Sequence, residues 1–204
     1  SEVVKISILR IYNISEKKIK VINLGLDFTR FDPAQSKGKE LRILWGADKD
    51  TIIIGTVGRL VSDTGQSTFI KAAASLLKNP ERKMKFVVVS EESLLETEEY
   101  VQELRALVRL FKIEEHIIFC ALSDSLNLPD VMSAFDIFVF SGREEVTGLG
   151  DLEALAMERT VLLSSIAGAE DIVGRKEYGL LVRPEDAFDL QQKILFLLDN
   201  PSQR

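Results

Sequence analysis

Residues 51–77 read TIIIGTVGRLVSDTGQSTFIKAAASLL, and this stretch decides the fold of the chain. It begins with β-branched and apolar residues without polar alternation, which predicts a strand buried on both faces. A loop follows, and the apolar residues after the loop recur on one helical face. They are Phe69, Ile70, Ala73, Leu76 and Leu77. The stretch therefore predicts a strand, a loop and a helix in succession, the repeating unit of an α/β fold.

The same alternation continues to the end of the chain. Apolar runs predict five further strands, at 84–90, 116–120, 136–140, 160–164 and 179–182. Segments of helical periodicity separate them, and an amphipathic helix at 185–198 closes the chain. This rhythm predicts an α/β, Rossmann-like fold: a doubly wound, six-stranded parallel sheet with helices on both faces and right-handed crossovers.

The first fifty residues follow a different pattern. They begin with a predicted helix, and KIKVIN at 18–23 then predicts a strand. A loop without regular pattern follows, which carries Asp32, Pro33 and Gly38.

Composition limits the classes of function. The chain has 26 basic and 32 acidic residues and a formal charge of −6, which argues against nucleic-acid binding because that needs a positive surface. No apolar run approaches the roughly 20 residues that span a bilayer, so membrane contact is not indicated by this segment. A single cysteine, Cys120, excludes an internal disulfide and predicts a reducing, cytoplasmic location.

Ligands of an open parallel sheet bind at the carboxyl ends of its strands, and two loops there carry candidate binding residues. The first is GRLVSDTG at 58–65, directly after the first strand. Its glycines let the backbone approach a ligand, and Arg59 offers a planar guanidinium suited to phosphate oxygens. The alternative reading of Arg59 is a solvated or salt-bridged surface residue.

The second loop is SGREEVTGLGDLEALA at 141–156. Gly148 and Gly150 open a predicted helix, whose free N–H groups attract a phosphate without a lysine. Glu145 and Glu153 are eight residues apart, and a carboxylate accepts two hydrogen bonds, which suits the paired hydroxyls of a ribose or hexose. The alternative is a glutamate in water and a glutamate in a surface ion pair.

Together these segments resemble the retaining nucleotide-sugar glycosyltransferases of the GT-B fold, the group 1 or family 4 type. The matching pieces lie in the family's order over residues 3–201: KIKVINLGLDFTRFDP as the linker, the stretch at 51–77, and the Glu-x7-Glu motif at Glu145 and Glu153. The resemblance implies one half of a GT-B fold. Residues 1–37 would be the remnant of the interdomain helix and linker, and 38–204 the nucleotide-sugar-binding domain.

The resemblance also implies roles for individual residues. Arg59 would contact the donor diphosphate, Glu153 would bind the ribose hydroxyls, and Glu145, the catalytic candidate, would hold the donor sugar or its phosphate. The base would lie against the backbone at Ala121 and Leu122. The other donor-binding positions implied are Gly58, Thr64, Ser90, Gly148 and Leu149.

The function implied is transfer of a hexose-type sugar from a UDP-, GDP- or ADP-sugar to an acceptor, with retention and without a metal or cofactor. The partner of the domain would be the N-terminal acceptor-binding domain of the same enzyme. An excised domain or a natural fragment of this kind is not expected to transfer sugar by itself, because the reaction needs a closed interdomain cleft.

Several motif positions differ from the family's pattern. The phosphate-binding lysine of the family is Thr64, and the glycines after its second and third strands are Ser90 and Ala121. These differences keep an alternative function open: a degenerate, non-catalytic homologue that acts as a scaffold or regulatory binding module. A third possibility is an unrelated doubly wound domain that binds another phosphate ligand.

Two reactive residue types are interpreted as structural. His116, the single histidine, lies at the head of a strand and is expected to be partly exposed. Cys120 lies within an apolar strand with no histidine near it in the sequence, which favours a small buried residue over a nucleophile.

Overall fold

The computed structural model describes residues 2–22, 25–79, 81–90, 99–123, 125–143, 149–166, 169–173 and 178–204. Its centre is a six-stranded parallel sheet in the order β3-β2-β1-β4-β5-β6. The strands are β1 (Ile52–Gly58), β2 (Met84–Ser90), β3 (Ile117–Ala121), β4 (Ile137–Phe140), β5 (Thr160–Ser164) and β6 (Gly179–Val182). The predicted α/β class and the six strands predicted for the parallel sheet are confirmed.

Helices cover both faces of this sheet. The helices that the structure describes are α1 (Glu2–Ile11), which is not among the core-packing elements, and α2 (Gly38–Leu44), α3 (Gln66–Leu76), α4 (Glu99–Phe111), α5 (Leu128–Ala134), α6 (Gly150–Ala156), α7 (Ala169–Val173) and α8 (Ala187–Asp199). Apolar residues of α3, α4 and α8 pack on one face, whereas those of α2, α5, α6 and α7 pack on the other. The strands are apolar without alternation because both of their faces are covered.

The structure differs from the sequence-based expectation in the first fifty residues. The predicted strand KIKVIN forms no part of the described sheet: Glu16–Lys18 is a 3-10 turn, and residues 19–22 have no strand partner. Alternation of apolar and basic residues favours an extended segment, but only a neighbouring strand makes it part of a sheet. The predicted loop contains α2, whose seven residues are too few to show a helical period.

Residues around α2 dock tightly on α5. Phe31 is buried in the core beneath them. The backbone N–H of Lys37 donates to Asp130 Oδ1 at 2.7 Å, and a Cβ on Gly38 would lie 2.5 Å from Ser133 Oγ. The division into residues 1–37 and 38–204 stays a prediction, but the segment just before residue 38 already belongs to the packed core.

A polar network ties α2 to the amino edge of the sheet. The Asp136 carboxylate accepts a hydrogen bond from Arg42 Nη1 at 2.8 Å and from the backbone N–H of Ile53 at 2.7 Å. Arg42 Nη2 also donates to the carbonyl of Thr51 at 2.6 Å. These bonds join the starts of β1 and β4, so the network holds together the edge opposite to the strands' carboxyl ends.

Replacing Gly55 with alanine is expected to destabilise the fold. An added Cβ would lie 2.2 Å from Cζ of Phe135, whose buried ring stacks on Trp45. Overpacking of this kind costs about 1–3 kcal/mol and lowers the Tm of a domain of this size by roughly 2–12 °C. Thermal unfolding followed by circular dichroism measures the change. Gly25→Ala is the matched control, because nothing lies within 4 Å of its added Cβ. Equal Tm values for the two variants would contradict this packing.

Candidate functional site

The candidate site lies where the strand order reverses. The chain moves outward from β1 through β2 to β3, then returns to place β4 on the other side of β1. The loops that follow β1 and β4 therefore leave the carboxyl edge of the sheet side by side and in opposite directions. Open α/β sheets bind their ligands in the crevice at such a reversal.

Three of the predicted binding positions are neighbours at this edge. Gly58 is in register with Ser90, and Ser90 is in register with Ala121, so the ends of β1, β2 and β3 form one row. The backbone N–H of Leu122 donates to the carbonyl of Ser90 at 2.9 Å. The structure thus brings together four residues from three segments that lie far apart in the sequence.

Arg59 follows this row directly. Its side chain is exposed, and the guanidinium forms no hydrogen bond or ion pair with any residue that the structure describes. Its backbone is held, because the Arg59 carbonyl accepts a hydrogen bond from Gln66 Nε2 at 2.9 Å. A fixed backbone with an unengaged cation suits the capture of an anionic ligand.

Thr64 stands where the family's lysine would be, and its side chain is turned into the loop. The residue is 7% exposed, and its hydroxyl lies 2.6 Å from the carbonyl of Val61, 2.9 Å from that of Arg59 and 2.6 Å from Gln66 Oε1. The hydroxyl therefore stabilises the turn at 59–66. That Thr64 also contacts a ligand stays a prediction.

The second loop carries the remaining predicted residues. Glu145 and Gly148 lie outside the described residues. Leu149 caps α6, and its carbonyl accepts the backbone N–H of Glu153 at 2.8 Å. Glu153 lies in the first turn of α6, is half-buried and already interacts with another group. Glu153 thus lies in the helix that follows the loop after β4, beside the strand-order reversal.

Two glycines bring the loops after β1 and β4 into direct backbone contact. Gly65 has a φ of +85°, and a Cβ there would lie 2.4 Å from the carbonyl carbon of Ser141. A Cβ on Gly142 would lie 2.4 Å from the carbonyl oxygen of Asp63. Ser141 Oγ also donates to the carbonyl of Gly65 at 2.9 Å. Any side chain at either position would force the loops apart.

Sequence reasoning missed two charged residues at this edge. Asp151, in the first turn of α6, is 3% exposed, and a carboxylate buried to that degree is normally paired. Arg143 follows Gly142 and bonds with Asp63. A charged residue directly after the glycine that follows a strand was the available signal for Arg143, whereas nothing in the pattern of α6 marks Asp151 as buried.

Neither reactive residue type shows the environment of a catalytic group. Cys120 is half-buried in β3, and its burial raises the pKa of the thiol to about 11. His116 is exposed just before β3, and its Nδ1 lies 3.2 Å from the carbonyl of Met84. The structural interpretation of both residues agrees with these positions.

In the described part of the chain, no cluster of three or more histidine, cysteine, aspartate or glutamate side chains is arranged to hold a metal ion. Nor does any helix within the described ranges combine the length and apolar character needed to traverse a bilayer.

A cavity of about 490 Å³ lies over the outer face of α3, between the end of α4 and the start of α8. Another, of about 360 Å³, lies beside the start of α5.

The comparisons with known proteins agree with this architecture. The family described as "Glycosyl transferases group 1" matches residues 39–204, and the chain belongs to this family. Among solved structures, the C-terminal domain of a group 1 family protein (LpcC) from Francisella tularensis is 27% identical, with a TM-score of 0.73 over 88% of this chain and 90% of that domain. The predicted resemblance to one half of a GT-B glycosyltransferase is confirmed.

Two further relatives are matched over about half of their own length. D-inositol 3-phosphate glycosyltransferase 2 of Catenulispora acidiphila is 28% identical over 95% of this chain and 45% of its own length. The structure of HepE from Anabaena, in complex with UDP and glucose, is 22% identical with a TM-score of 0.84 and covers all of this chain but 53% of that one. The chain spans about half the length of the curated relatives it matches.

The Cys120 thiol is expected to resist alkylation in the folded chain. With its pKa raised to about 11, the thiolate fraction near pH 8 falls roughly 200-fold below that of a free cysteine. Mass spectrometry after timed exposure to iodoacetamide measures the rate, and the same chain unfolded in guanidinium chloride is the control. Similar rates in the two states would contradict the burial of this thiol.

Proposed function

We propose that the chain is the donor-binding half of a glycosyltransferase and that it binds a UDP-, GDP- or ADP-sugar at the carboxyl edge between β1 and β4. The observation that carries the proposal is the unengaged guanidinium of Arg59 at the strand-order reversal of a group 1 family chain. The names of similar proteins support it, since they include glycosyltransferases and a complex with UDP and glucose.

The proposed chemistry is electrostatic. Arg59 contacts the donor diphosphate and balances the charge that develops on it as the leaving group departs. Glu153 binds the ribose hydroxyls, and Glu145 orients the sugar at the reacting centre. The base lies against the backbone at Ala121 and Leu122. We extend the proposal to retention, which the family resemblance implies. We also propose that no metal is needed, because a guanidinium and backbone N–H groups would supply the positive field that a metal would otherwise provide.

The proposal includes a second domain. An acceptor-binding N-terminal domain completes the cleft, since the chain represents 45% of a relative such as the inositol phosphate glycosyltransferase. The 204-residue chain alone therefore binds the donor but transfers no sugar, because closure of two domains is needed to exclude water and to orient the acceptor. The cytoplasmic location expected from composition belongs to the same proposal.

One observation favours the alternative, a non-catalytic scaffold or regulatory module. At the position of the family's lysine, Thr64 provides no charge, and its hydroxyl is already bonded inside the loop. A diphosphate bound here would interact with one cation fewer than in the family's pattern. The alternative predicts a stable fold without affinity for nucleoside diphosphates.

Calorimetric titration with UDP, GDP and ADP tests donor binding. We expect saturable binding of one of them, weakened about tenfold to 100-fold in Arg59→Ala because a charge-assisted hydrogen bond is lost. Glu153→Ala is expected to weaken binding as well. Arg109→Ala and Glu103→Ala are matched controls, because both lie exposed on α4. Absence of binding of all three nucleotides at millimolar concentration would overturn the proposal.

Thr64→Lys separates the two functions. If Thr64→Lys binds a nucleotide and the wild-type chain does not, the wild-type chain keeps the shape of the donor site without affinity for the donor. This result would favour the scaffold or regulatory module. If the wild-type chain binds, the added cation is expected to strengthen binding further, and the same titration measures the gain.

A further inference from the structure

The Arg143 guanidinium joins three loops at the carboxyl edge of the sheet. It forms an ion pair with Asp63 in the loop after β1, and its Nε lies 3.3 Å from Glu185 Oε1 in the loop between β6 and α8. Arg143 itself belongs to the loop after β4. One side chain with five N–H donors thus contacts two carboxylates that two different loops supply.

Backbone hydrogen bonds connect the same three loops. The N–H of Arg143 donates to the carbonyl of Asp63 at 2.9 Å, and the N–H of Glu185 donates to the carbonyl of Ser141 at 3.2 Å. Glu185 has a φ of +57°, a left-handed conformation that residues other than glycine adopt rarely. Such a conformation persists where surrounding contacts determine it, so the three loops are mutually positioned rather than only adjacent.

The loop that Asp63 anchors is the loop that presents Arg59. Between residues 59 and 66 the hydrogen bonds are local: the Arg59 carbonyl accepts from Gln66 Nε2 and lies 2.9 Å from the Thr64 hydroxyl. The turn is therefore a unit, and the contacts of Asp63 with Arg143 are among those that fix this unit against the rest of the site. Displacement of Asp63 would carry Arg59 with it.

We propose that Arg143 is a positioning residue, which holds the 59–66 turn against the loop after β4 and so presents Arg59 to the donor diphosphate. This inference rests on the proposed function. The side chains of Arg143 and Asp63 are 54% and 46% exposed, and exposed ion pairs contribute little to stability. Their effect is preorganisation of the binding loop, which improves affinity because the loop need not be ordered when the ligand binds.

The test begins with Arg143→Gln in the 204-residue chain. The dissociation constant of UDP, or of GDP or ADP if one of these is the nucleotide that binds, is expected to rise about fivefold to tenfold. The Tm is expected to fall by no more than about 4 °C. Arg183→Gln is the matched control, because Arg183 is exposed and pairs with Asp186 and Asp189 in its own loop and helix. It should leave the affinity unchanged.

A double-mutant cycle distinguishes positioning from a general structural effect. In the background of Arg59→Lys, which retains a cation, Arg143→Gln is expected to cost clearly less affinity than in the wild-type chain, since both substitutions disturb the same contact. Losses that simply multiply would overturn the inference. An equal loss of affinity in Arg183→Gln would also overturn it.

Hydrogen exchange of the chain without nucleotide tests the same inference independently of donor binding. Arg143→Gln is expected to accelerate exchange of the amides at 61–66, whereas Arg183→Gln leaves them unchanged. Unchanged exchange in Arg143→Gln overturns the positioning role even if nucleotides bind. Faster exchange together with no nucleotide binding by the wild-type chain keeps the anchoring of the loop and overturns the proposed function.

Discussion

The parallel pairing of β1 on both of its sides is the constraint on which the rest of the site depends. β1 pairs with β2 along its whole length and with β4 near its centre, at Ile54 and Gly55. Because the next strand on each side belongs to a different half of the chain, the loops after β1 and β4 must open at one place. Gly55 lets the Phe135 ring lie against the middle of β1, and the Asp136 network ties the amino ends of β1 and β4 together.

Close backbone contact between the loops after β1 and β4 then fixes the geometry of the site. Gly65 and Gly142 allow the two loops to touch without side chains between them, and Arg143 joins them to a third loop. Strand pairing brings the loops together, and the glycines set the distance between them. The positions of the charged side chains depend on both. Arg59 gains a defined place at the edge although its own guanidinium is unengaged within the described residues.

Much of this architecture was predictable because it depends on local patterns. Buried strands in a parallel sheet need continuous apolar runs, and the shared edge of Gly58, Ser90 and Ala121 follows once such strands are placed in parallel. The contacts that define the site were not predictable, since Ser141 and Gly65 are 76 residues apart and Arg143 and Asp63 are 80 apart. Local periodicity carries no information on such pairs, nor on whether KIKVIN finds a neighbouring strand.

The proposed function requires a nucleoside diphosphate to bind at the carboxyl edge where the strand order reverses. Changes in backbone amide chemical shifts on addition of UDP test this most directly, since they locate the ligand as well as detect it. We expect the largest changes on the row of strand ends formed by Gly58, Ser90 and Ala121 and on the loop at 58–65. Changes concentrated instead at the cavity over α3, around Lys71 and Lys112, would contradict it.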